Sequence, residues 1–251
     1  MTPSNDDVIF VKDLEKRFGD FVAVNRISFS VKRGEIFGFL GSNGSGKSTT
    51  IRMLCGIITP TSGEAWVAGH HIVSEAEEVK HSIGYMSQKF SLYEDLTPLE
   101  NIRFFLGLYS VPESLWAERT EWVLDMARIQ EVKNRLTRDL PQGWRQRLAL
   151  GCALLHKPDI LFLDEPTSGV DPITRRHFWE FIRELSVQGI TVFVTTHYMD
   201  EARNCGRIVM INLGDIVAQG SPDEIVTSVC PDKPDADLGD AFVALMAGRK
   251  E

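Results

Sequence analysis

A glycine-rich loop in the first fifth of the chain has the composition of a phosphate-binding loop. Its residues are Gly41, Ser42, Asn43, Gly44, Ser45, Gly46, Lys47, Ser48 and Thr49. The glycines allow backbone N–H groups to turn inward around an anion, and a helix that begins at the end of the loop adds a partial positive charge. In such a loop we expect Lys47 to reach the β- and γ-phosphates of a nucleotide and the Ser48 hydroxyl to ligate Mg²⁺.

The flanks of the loop support this interpretation. Residues 36–40 form an apolar run typical of a buried strand, and residues 50–54 favour the first turns of a helix. Strand, glycine-rich loop, Lys-Ser and helix is the order that the motif requires. The alternative, a glycine-rich turn before an ordinary helix, leaves this order unexplained. The loop alone predicts only that a nucleotide binds.

Two adjacent carboxylates end a second apolar run. Residues 160–163 are all apolar, as in a central parallel strand, and Asp164 and Glu165 follow them directly. We expect Asp164 to hold Mg²⁺ and Glu165 to act on a water molecule that attacks the terminal phosphate. A capping Asp-Glu pair before a loop is the alternative.

Three further residues are ambiguous when each is taken alone. His197 follows the predicted strand 190–195 and could contact a γ-phosphate, although a lone histidine is more often structural. Gln88 ends the predicted strand 83–88 and could ligate the metal or a water. Phe18 precedes the turn at Gly19 and could stack on a base or belong to the core.

The predicted elements place these residues on an α/β fold. Alternation in residues 8–40 predicts a small antiparallel sheet that leads into the strand before the loop, and residues 208–218 predict a closing hairpin. Residues 89–156 are predicted to be mostly helical, with a capping box at Thr97 to Glu100, a second helix from Trp116 to Ala127 and a third that residues 148–155 complete. Asp171 and Pro172 begin a helix that ends at Val187.

This order predicts a mostly parallel core sheet with an N-terminal antiparallel β subdomain and an inserted helical subdomain. We predict one main domain over residues 1–225, with the helical insert at about 89–156. A short C-terminal extension with a terminal helix follows over residues 226–251.

Amino-acid composition argues against some classes of function. The chain has 251 residues and a net charge of −8, which argues against a main role in nucleic-acid binding. Its apolar runs are shorter than the roughly 18 residues that a membrane span needs. The cysteines Cys55, Cys152, Cys205 and Cys230 are widely spaced and predict buried thiols in a reducing compartment.

Taken in order, these motifs resemble the nucleotide-binding subunit of ATP-binding cassette (ABC) transporters over roughly residues 8–220. The resemblance implies that Phe18 is the aromatic residue that stacks on adenine, that residues 41–49 are the Walker A motif and that Gln88 is the Q-loop glutamine. It also implies that residues 160–165 are the Walker B motif, with Glu165 as the catalytic glutamate. Ser168, Gly169 and Asp171 would then belong to the D-loop, and His197 would be the switch histidine. It implies ATP and Mg²⁺ as ligands, with the metal on Ser48, Gln88 and Asp164, and Lys47, Glu165 and His197 as catalytic residues.

The signature motif departs from the family pattern. The family reads Leu-Ser-Gly-Gly-Gln where this chain has Leu140, Pro141, Gln142, Gly143 and Trp144. In the family this motif contacts the ATP that the other protomer binds, and proline offers neither a hydroxyl nor an N–H group. Either this branch tolerates Pro141 as the start of the signature helix, or the chain pairs with a second cassette whose signature is intact.

Within the family the chain looks most like the ATPases of bacterial drug exporters of the type 2 export class, as residues 85–93, 166–172 and 240–245 indicate. That resemblance implies separate transmembrane permease subunits, coupled near residues 88–96, and a location on the cytoplasmic face of the inner membrane. A non-transport ABC ATPase and a weakly catalytic regulatory cassette are the alternatives. A GTPase would need an Asn-Lys-x-Asp motif, which the sequence lacks.

Overall fold

The computed structural model describes residues 4, 6–88 and 92–247. Its strands are β1 (Asp7–Phe18), β2 (Phe21–Lys32), β3 (Ile36–Leu40), β4 (Ser62–Val67), β5 (His70–His71), β6 (Ile83–Met86), β7 (Ile160–Asp164), β8 (Thr191–Thr196), β9 (Arg207–Asn212) and β10 (Asp215–Gly220). Its α-helices are α1 (Lys47–Leu54), α2 (Ala76–Ser82), α3 (Pro98–Leu108), α4 (Trp116–Ala127), α5 (Gln142–Ala153), α6 (Pro172–Val187), α7 (Met199–Ala202), α8 (Pro222–Val229) and α9 (Leu238–Ala247).

The strands form two sheets. The first is antiparallel with the order β2-β1-β4-β5, and the second has the order β10-β9-β3-β8-β7-β6. In the second sheet β9, β3, β8, β7 and β6 run parallel, and β10 pairs antiparallel with β9. Since the carboxyl ends of parallel strands meet at one edge, the residues that follow β3, β6, β7 and β8 are brought together there.

The core lies on both faces of the second sheet. A cluster of aromatic rings from Phe29, Phe37, Phe39 and Phe193 fills the space between the two sheets, with ring centroids 5.5–6.1 Å apart. On the other face α6 packs through the buried residues Phe178, Trp179, Ile182 and Leu185. Both faces of the central strands are therefore apolar, as their unbroken hydrophobic runs predict.

Helices α3, α4 and α5 lie between β6 and β7 in the chain and have a core of their own, which includes Ile102, Leu106, Leu124 and Leu148. The predicted capping box of α3 is present: the Thr97 hydroxyl accepts from the Glu100 N–H, and the Glu100 carboxylate accepts from the Thr97 N–H. The predicted fold class, with its antiparallel sheet, mostly parallel sheet and helical insert, is confirmed.

Two predicted boundaries were wrong. Helix α5 ends at Ala153 rather than at residue 155, and β6 ends at Met86, so that Gln88 lies beyond the strand. Residues 89–91 of the predicted helical subdomain lie outside the described residues, and the predicted domain bounds stay a prediction. In the described part of the chain, no helix has the length and apolar character that crossing a bilayer requires.

Candidate nucleotide site

The loop of residues 41–49 connects β3 to α1, as predicted, and its shape requires glycine at two positions. A Cβ atom on Gly41 would lie 2.4 Å from the Ile211 carbonyl oxygen, and one on Gly46 would lie 2.5 Å from the Ala23 carbonyl oxygen. Gly46 also has a φ of +109°, a conformation that side chains disfavour. The Gly214 N–H donates to the Ser45 carbonyl at 3.1 Å, so the β9–β10 turn supports the loop. The loop backbone is fixed by its neighbours.

Lys47 extends back over this loop and is almost fully buried. Its Nζ atom donates to the carbonyl oxygens of Gly41 at 2.8 Å and Ser42 at 3.0 Å. The same atom lies 3.1 Å from Oε1 of Glu165, and the two side chains are only 4% and 7% exposed. The ammonium group therefore lies between the loop of residues 41–49 and Glu165, the residue that follows β7.

Glu165 is the point at which the predicted residues converge. Its Oε2 accepts from Gln88 Nε2 at 3.2 Å and lies 3.1 Å from His197 Nδ1. Its backbone has a φ of +48°, a left-handed conformation that few non-glycine residues adopt, and its N–H donates to Thr195 Oγ1 at 3.0 Å. The Glu165 carboxylate, which follows β7, is thus in contact with Lys47, Gln88 and His197, which follow β3, β6 and β8.

Ser48 and Asp164, two of the three residues predicted to bind Mg²⁺, lie next to each other. Ser48 Oγ lies 3.1 Å from Asp164 Oδ1, and Thr195 Oγ1 donates to the same oxygen at 2.8 Å. A hydroxyl beside a carboxylate is an oxygen donor set that fits Mg²⁺, which uses one or two protein ligands together with phosphate oxygens rather than a full protein cage. Accordingly, the described residues hold no group of three His, Cys, Asp or Glu side chains arranged as metal ligands.

Gln88, the third residue predicted to bind the metal, donates its amide to Glu165. Its hydrogen bond is therefore to the catalytic candidate and not to the Ser48–Asp164 pair. The predicted metal role of Gln88 stays a prediction.

Phe18 lies at the turn end of the β1–β2 hairpin, where its cross-strand partner is Phe21. Both rings are exposed, by 53% for Phe18 and 63% for Phe21, and Lys16 Nζ lies 5.2 Å from the Phe18 ring centroid. Ala23, two residues further along β2, has its carbonyl against Gly46. The strand that leads away from this hairpin turn therefore reaches the phosphate-binding loop, and the turn itself carries two exposed aromatic rings.

The start of α5 is tied to the loop after Glu165. Gln142 Nε2 donates to the Ser168 carbonyl at 3.1 Å, and the buried Gln146 Nε2 donates to the Pro166 carbonyl. Pro141 occupies the N-cap position and provides no side-chain cap, and Gly143 lies beside Thr174. Trp144 packs against the core of the helical insert. The predicted signature residues thus adjoin the predicted D-loop.

Asp171, the last of the predicted D-loop residues, caps α6. Its carboxylate accepts from the backbone N–H groups of Ile173 and Thr174, both at 3.0 Å. Hydrogen bonds from the side chain and backbone of Thr174 hold the pKa of Asp171 below its ordinary value. Asp171 therefore fixes the end of the loop that begins at Ser168 and Gly169.

Two neighbours of the site remain neutral near pH 7. Burial, and after it the nearby Asp164 carboxylate, raise the pKa of Tyr85 to about 12. Burial, and then Asp164, also raise the pKa of the Cys55 thiol well above its ordinary value. Neither group adds negative charge near Asp164.

Thr195 is a residue of the site that sequence reasoning missed. Its hydroxyl donates to the Asp164 carboxylate and accepts from the Glu165 N–H, so it fixes the Asp164 side chain and the Glu165 backbone. The only signal in the sequence was a hydroxyl near the end of a strand that also contains Thr191, and threonine is common in strands because it is β-branched.

The sequence model of the family described as "ABC transporter" matches residues 24–168 of this chain. The chain belongs to the ABC transporter family. It is 47% identical over 242 residues to the probable multidrug ABC transporter ATP-binding protein YbhF of Escherichia coli strain K12. The aligned region covers 96% of this chain and 42% of that protein. The chain thus spans about two fifths of the length of that relative.

Two further members of the family support the same assignment. The Nod factor export ATP-binding protein I of Ralstonia nicotianae is 38% identical over 221 residues, which cover 88% of this chain and 69% of that protein. The solved dimeric structure of the ATP-binding cassette MJ0796, in a post-hydrolysis state with ADP and Pi, superposes with a TM-score of 0.77 at 27% identity. That match covers 85% of this chain and 98% of the cassette.

As an ABC cassette, the chain is an ATPase domain that binds and hydrolyses ATP. The carboxylate of Glu165, with Lys47 and His197 around it, lies in the region where that chemistry is expected. The individual roles predicted for these residues remain to be tested by substitution.

Proposed function

We propose that this chain is the ATP-hydrolysing part of an ABC exporter and works through separate transmembrane subunits on the cytoplasmic face of a bacterial inner membrane. The names of two relatives support this assignment: YbhF is a probable multidrug ABC transporter ATP-binding protein, and the other is a Nod factor export ATP-binding protein. The observation that carries it is the convergence of Lys47, Gln88 and His197 on Glu165. This is the arrangement expected where a water is activated beside a bound phosphate chain.

In the proposed reaction a water molecule attacks the γ-phosphate of ATP in line with the leaving oxygen. Glu165 accepts a hydrogen bond from that water and polarises it, while Lys47 offsets charge on the β- and γ-phosphates. His197 donates a hydrogen bond to the γ-phosphate. Mg²⁺, when bound by Ser48 and Asp164, supplies additional positive charge to the phosphate oxygens.

Phe18 stacks on the adenine in this proposal. Its exposed ring lies at the turn from which β2 leads to the loop that holds the phosphates, where the carbonyl of Ala23 lies against Gly46. An aromatic face of this kind binds a base without reading its hydrogen-bonding pattern.

A second cassette completes the site in our proposal, because the family signature contacts the ATP of the opposite protomer. Here Pro141 removes the serine hydroxyl and one N–H, while the N–H groups of Gln142 and Gly143 remain at the uncapped start of α5, where helices favour anions. We propose that the competent site pairs Lys47 and Glu165 with a cassette that carries an intact signature, on a separate chain or in the same polypeptide.

The test compares ATP hydrolysis by the purified chain alone with hydrolysis after a candidate partner cassette is added. The proposal expects a large increase on mixing, and a Pro141→Ser variant should hydrolyse ATP faster than the parent when alone. Full activity as a homodimer would contradict the asymmetric pairing and leave the ATPase assignment intact.

Two further measurements separate the alternatives. Co-purification with a transmembrane subunit distinguishes an exporter ATPase from a non-transport ABC ATPase. Turnover that is absent in every mixture, with ATP still bound, would instead indicate a regulatory cassette.

A further inference from the structure

A buried carboxylate near the site has no role in the reaction described above. Glu201 lies on α7, shortly after His197, and its side chain is 2% exposed. Burying a carboxylate is unfavourable unless hydrogen bonds and an opposite charge compensate for lost hydration. The residues that bind the Glu201 carboxylate therefore indicate its role in the structure.

Each carboxylate oxygen of Glu201 accepts a hydrogen bond from a threonine in a different segment. Oε1 accepts from Thr167 Oγ1, in the loop two residues after Glu165. Oε2 accepts at 2.7 Å from Thr196 Oγ1, the residue directly before His197. One carboxylate thus joins the segment after the catalytic candidate to the strand end that carries the histidine.

Arg175 on α6 provides the compensating charge and extends the connection. Its Nε lies 3.4 Å from Glu201 Oε1, and its guanidinium carbon lies 4.4 Å from the centre of the Tyr198 ring. The Tyr198 ring centre in turn is 4.1 Å from that of His197. His197 is therefore held from its backbone side by Thr196 and from its ring side by Tyr198.

We propose that Glu201 is a positioning residue for ATP hydrolysis, which fixes His197 and the loop of Thr167 relative to one another. The inference depends on the proposed function, because it assigns Glu201 an effect through His197 and Glu165. It predicts that the network affects turnover rather than nucleotide affinity, since none of its members is in the phosphate-binding loop.

The experiment removes one hydroxyl at a time with an isosteric change. Thr167→Val deletes one hydrogen bond to the Glu201 carboxylate and keeps the side-chain volume. Thr196→Val deletes the other, together with the hydrogen bond that the Thr196 hydroxyl accepts from the Tyr198 N–H. We expect kcat to fall by about tenfold in each, the size expected for one hydrogen bond to a charged group. The dissociation constant for ADP should stay within about twofold of the parent value.

Two comparisons separate positioning from general destabilisation. Thr196→Ser and Thr167→Ser keep the hydroxyl and should restore kcat to within about threefold of the parent. Thr137→Val deletes an equally buried hydroxyl that accepts from Asn101 in the helical insert, and it should leave kcat unchanged. Glu201→Gln, which keeps the side-chain shape, should lower kcat and provides the test if a valine variant fails to fold.

The inference is overturned if the valine variants and Glu201→Gln keep the parental kcat, or if kcat and ADP affinity fall in the same proportion. Failure of the proposed function would look different: a Glu165→Gln variant would then hydrolyse ATP at the parental rate. Loss of turnover in Glu165→Gln with normal turnover in the valine variants would reject only the role of Glu201.

Discussion

The Nζ atom of Lys47 lies 3.1 Å from Oε1 of Glu165, and both side chains are almost fully buried. The ammonium that is expected to bind phosphate and the carboxylate that is expected to act on water are thus direct partners. The charge of each side chain therefore affects the other, so the contributions of Lys47 and Glu165 can be distinguished only by substituting one residue at a time. Buried charge pairs of this kind respond strongly when one member is removed.

Replacing Glu165 with glutamine should abolish turnover and preserve ATP binding. The amide keeps the shape of the side chain but cannot accept a proton, so we expect phosphate release to fall by more than about 100-fold. ATP affinity should be equal to or greater than that of the parent, because a negative charge near Lys47 and the γ-phosphate is lost. Isothermal titration measures the affinity, and size-exclusion chromatography should detect dimers that accumulate in ATP.

The control for this substitution is Glu180→Gln, a change of the same type at an exposed position on α6. It should leave phosphate release unchanged. A Glu165→Gln variant that hydrolyses ATP at the parental rate would show that the carboxylate is not the group that acts on water.

Replacing Lys47 with alanine should act on binding instead. The variant removes the ammonium group that lies against Gly41, Ser42 and Glu165, and we expect ATP affinity to fall by about tenfold or more. It also leaves Glu165 without its buried cation, so a lower melting temperature is expected. Lys80→Ala, at an exposed lysine paired with Glu77, is the control and should bind ATP normally. Unchanged ATP affinity in Lys47→Ala would contradict the assignment.

The exposed phenylalanines of the β1–β2 hairpin allow a matched test of base stacking. Phe18→Ala should weaken ATP binding by about fivefold, which corresponds to the loss of ~1 kcal/mol of stacking, and Phe18→Trp should retain it. Phe21→Ala removes a ring of similar exposure directly across the hairpin and should have no effect. Inorganic tripolyphosphate has no base, so its affinity should be the same in all three variants. Equal losses for Phe18 and Phe21 would reject specific stacking.

The convergence on Glu165 could be anticipated from the sequence because each contributing residue follows an apolar run that predicts a parallel strand. The carboxyl ends of such strands share an edge, and that rule places Gly41, Asp164 and His197 near one another without knowledge of side-chain contacts. The fold class followed for the same reason, since hydrophobic runs and turn residues mark the strands.

The residues that support the site could not be predicted in this way. Glu201 lies in a polar segment that favours an exposed position, and only the tertiary arrangement places it against Thr167 and Thr196. Residues 142–147, at the start of α5, are mostly polar. Yet Gln146 among them is buried by its hydrogen bond to Pro166. Burial of polar side chains depends on partners that are distant in sequence, so local hydrophobicity does not reveal it.

The stability of the chain should decrease at mildly acidic pH because of His156. Its ring stacks on Tyr109 with centroids 4.1 Å apart, and its Nε2 lies 2.9 Å from the Ile83 carbonyl. Nδ1 is buried without a hydrogen-bond partner among the described residues, so a proton added there would have no acceptor. Burial lowers the pKa of His156 below its ordinary value, opposed in part by the Ile83 carbonyl.

A histidine whose pKa is lower in the folded state binds a proton more readily in the unfolded chain. Its contribution to stability is therefore complete above the unfolded pKa of about 6.5 and is lost as the pH falls from there toward the folded pKa. We expect the melting temperature to drop by a few degrees between about pH 7.5 and pH 5.5. In His156→Gln, whose amide can still donate to Ile83, this dependence should be weaker. His177→Gln, at an exposed histidine, should retain the parental dependence of melting temperature on pH. If the parent, His156→Gln and His177→Gln all show the same dependence, His156 is not its source.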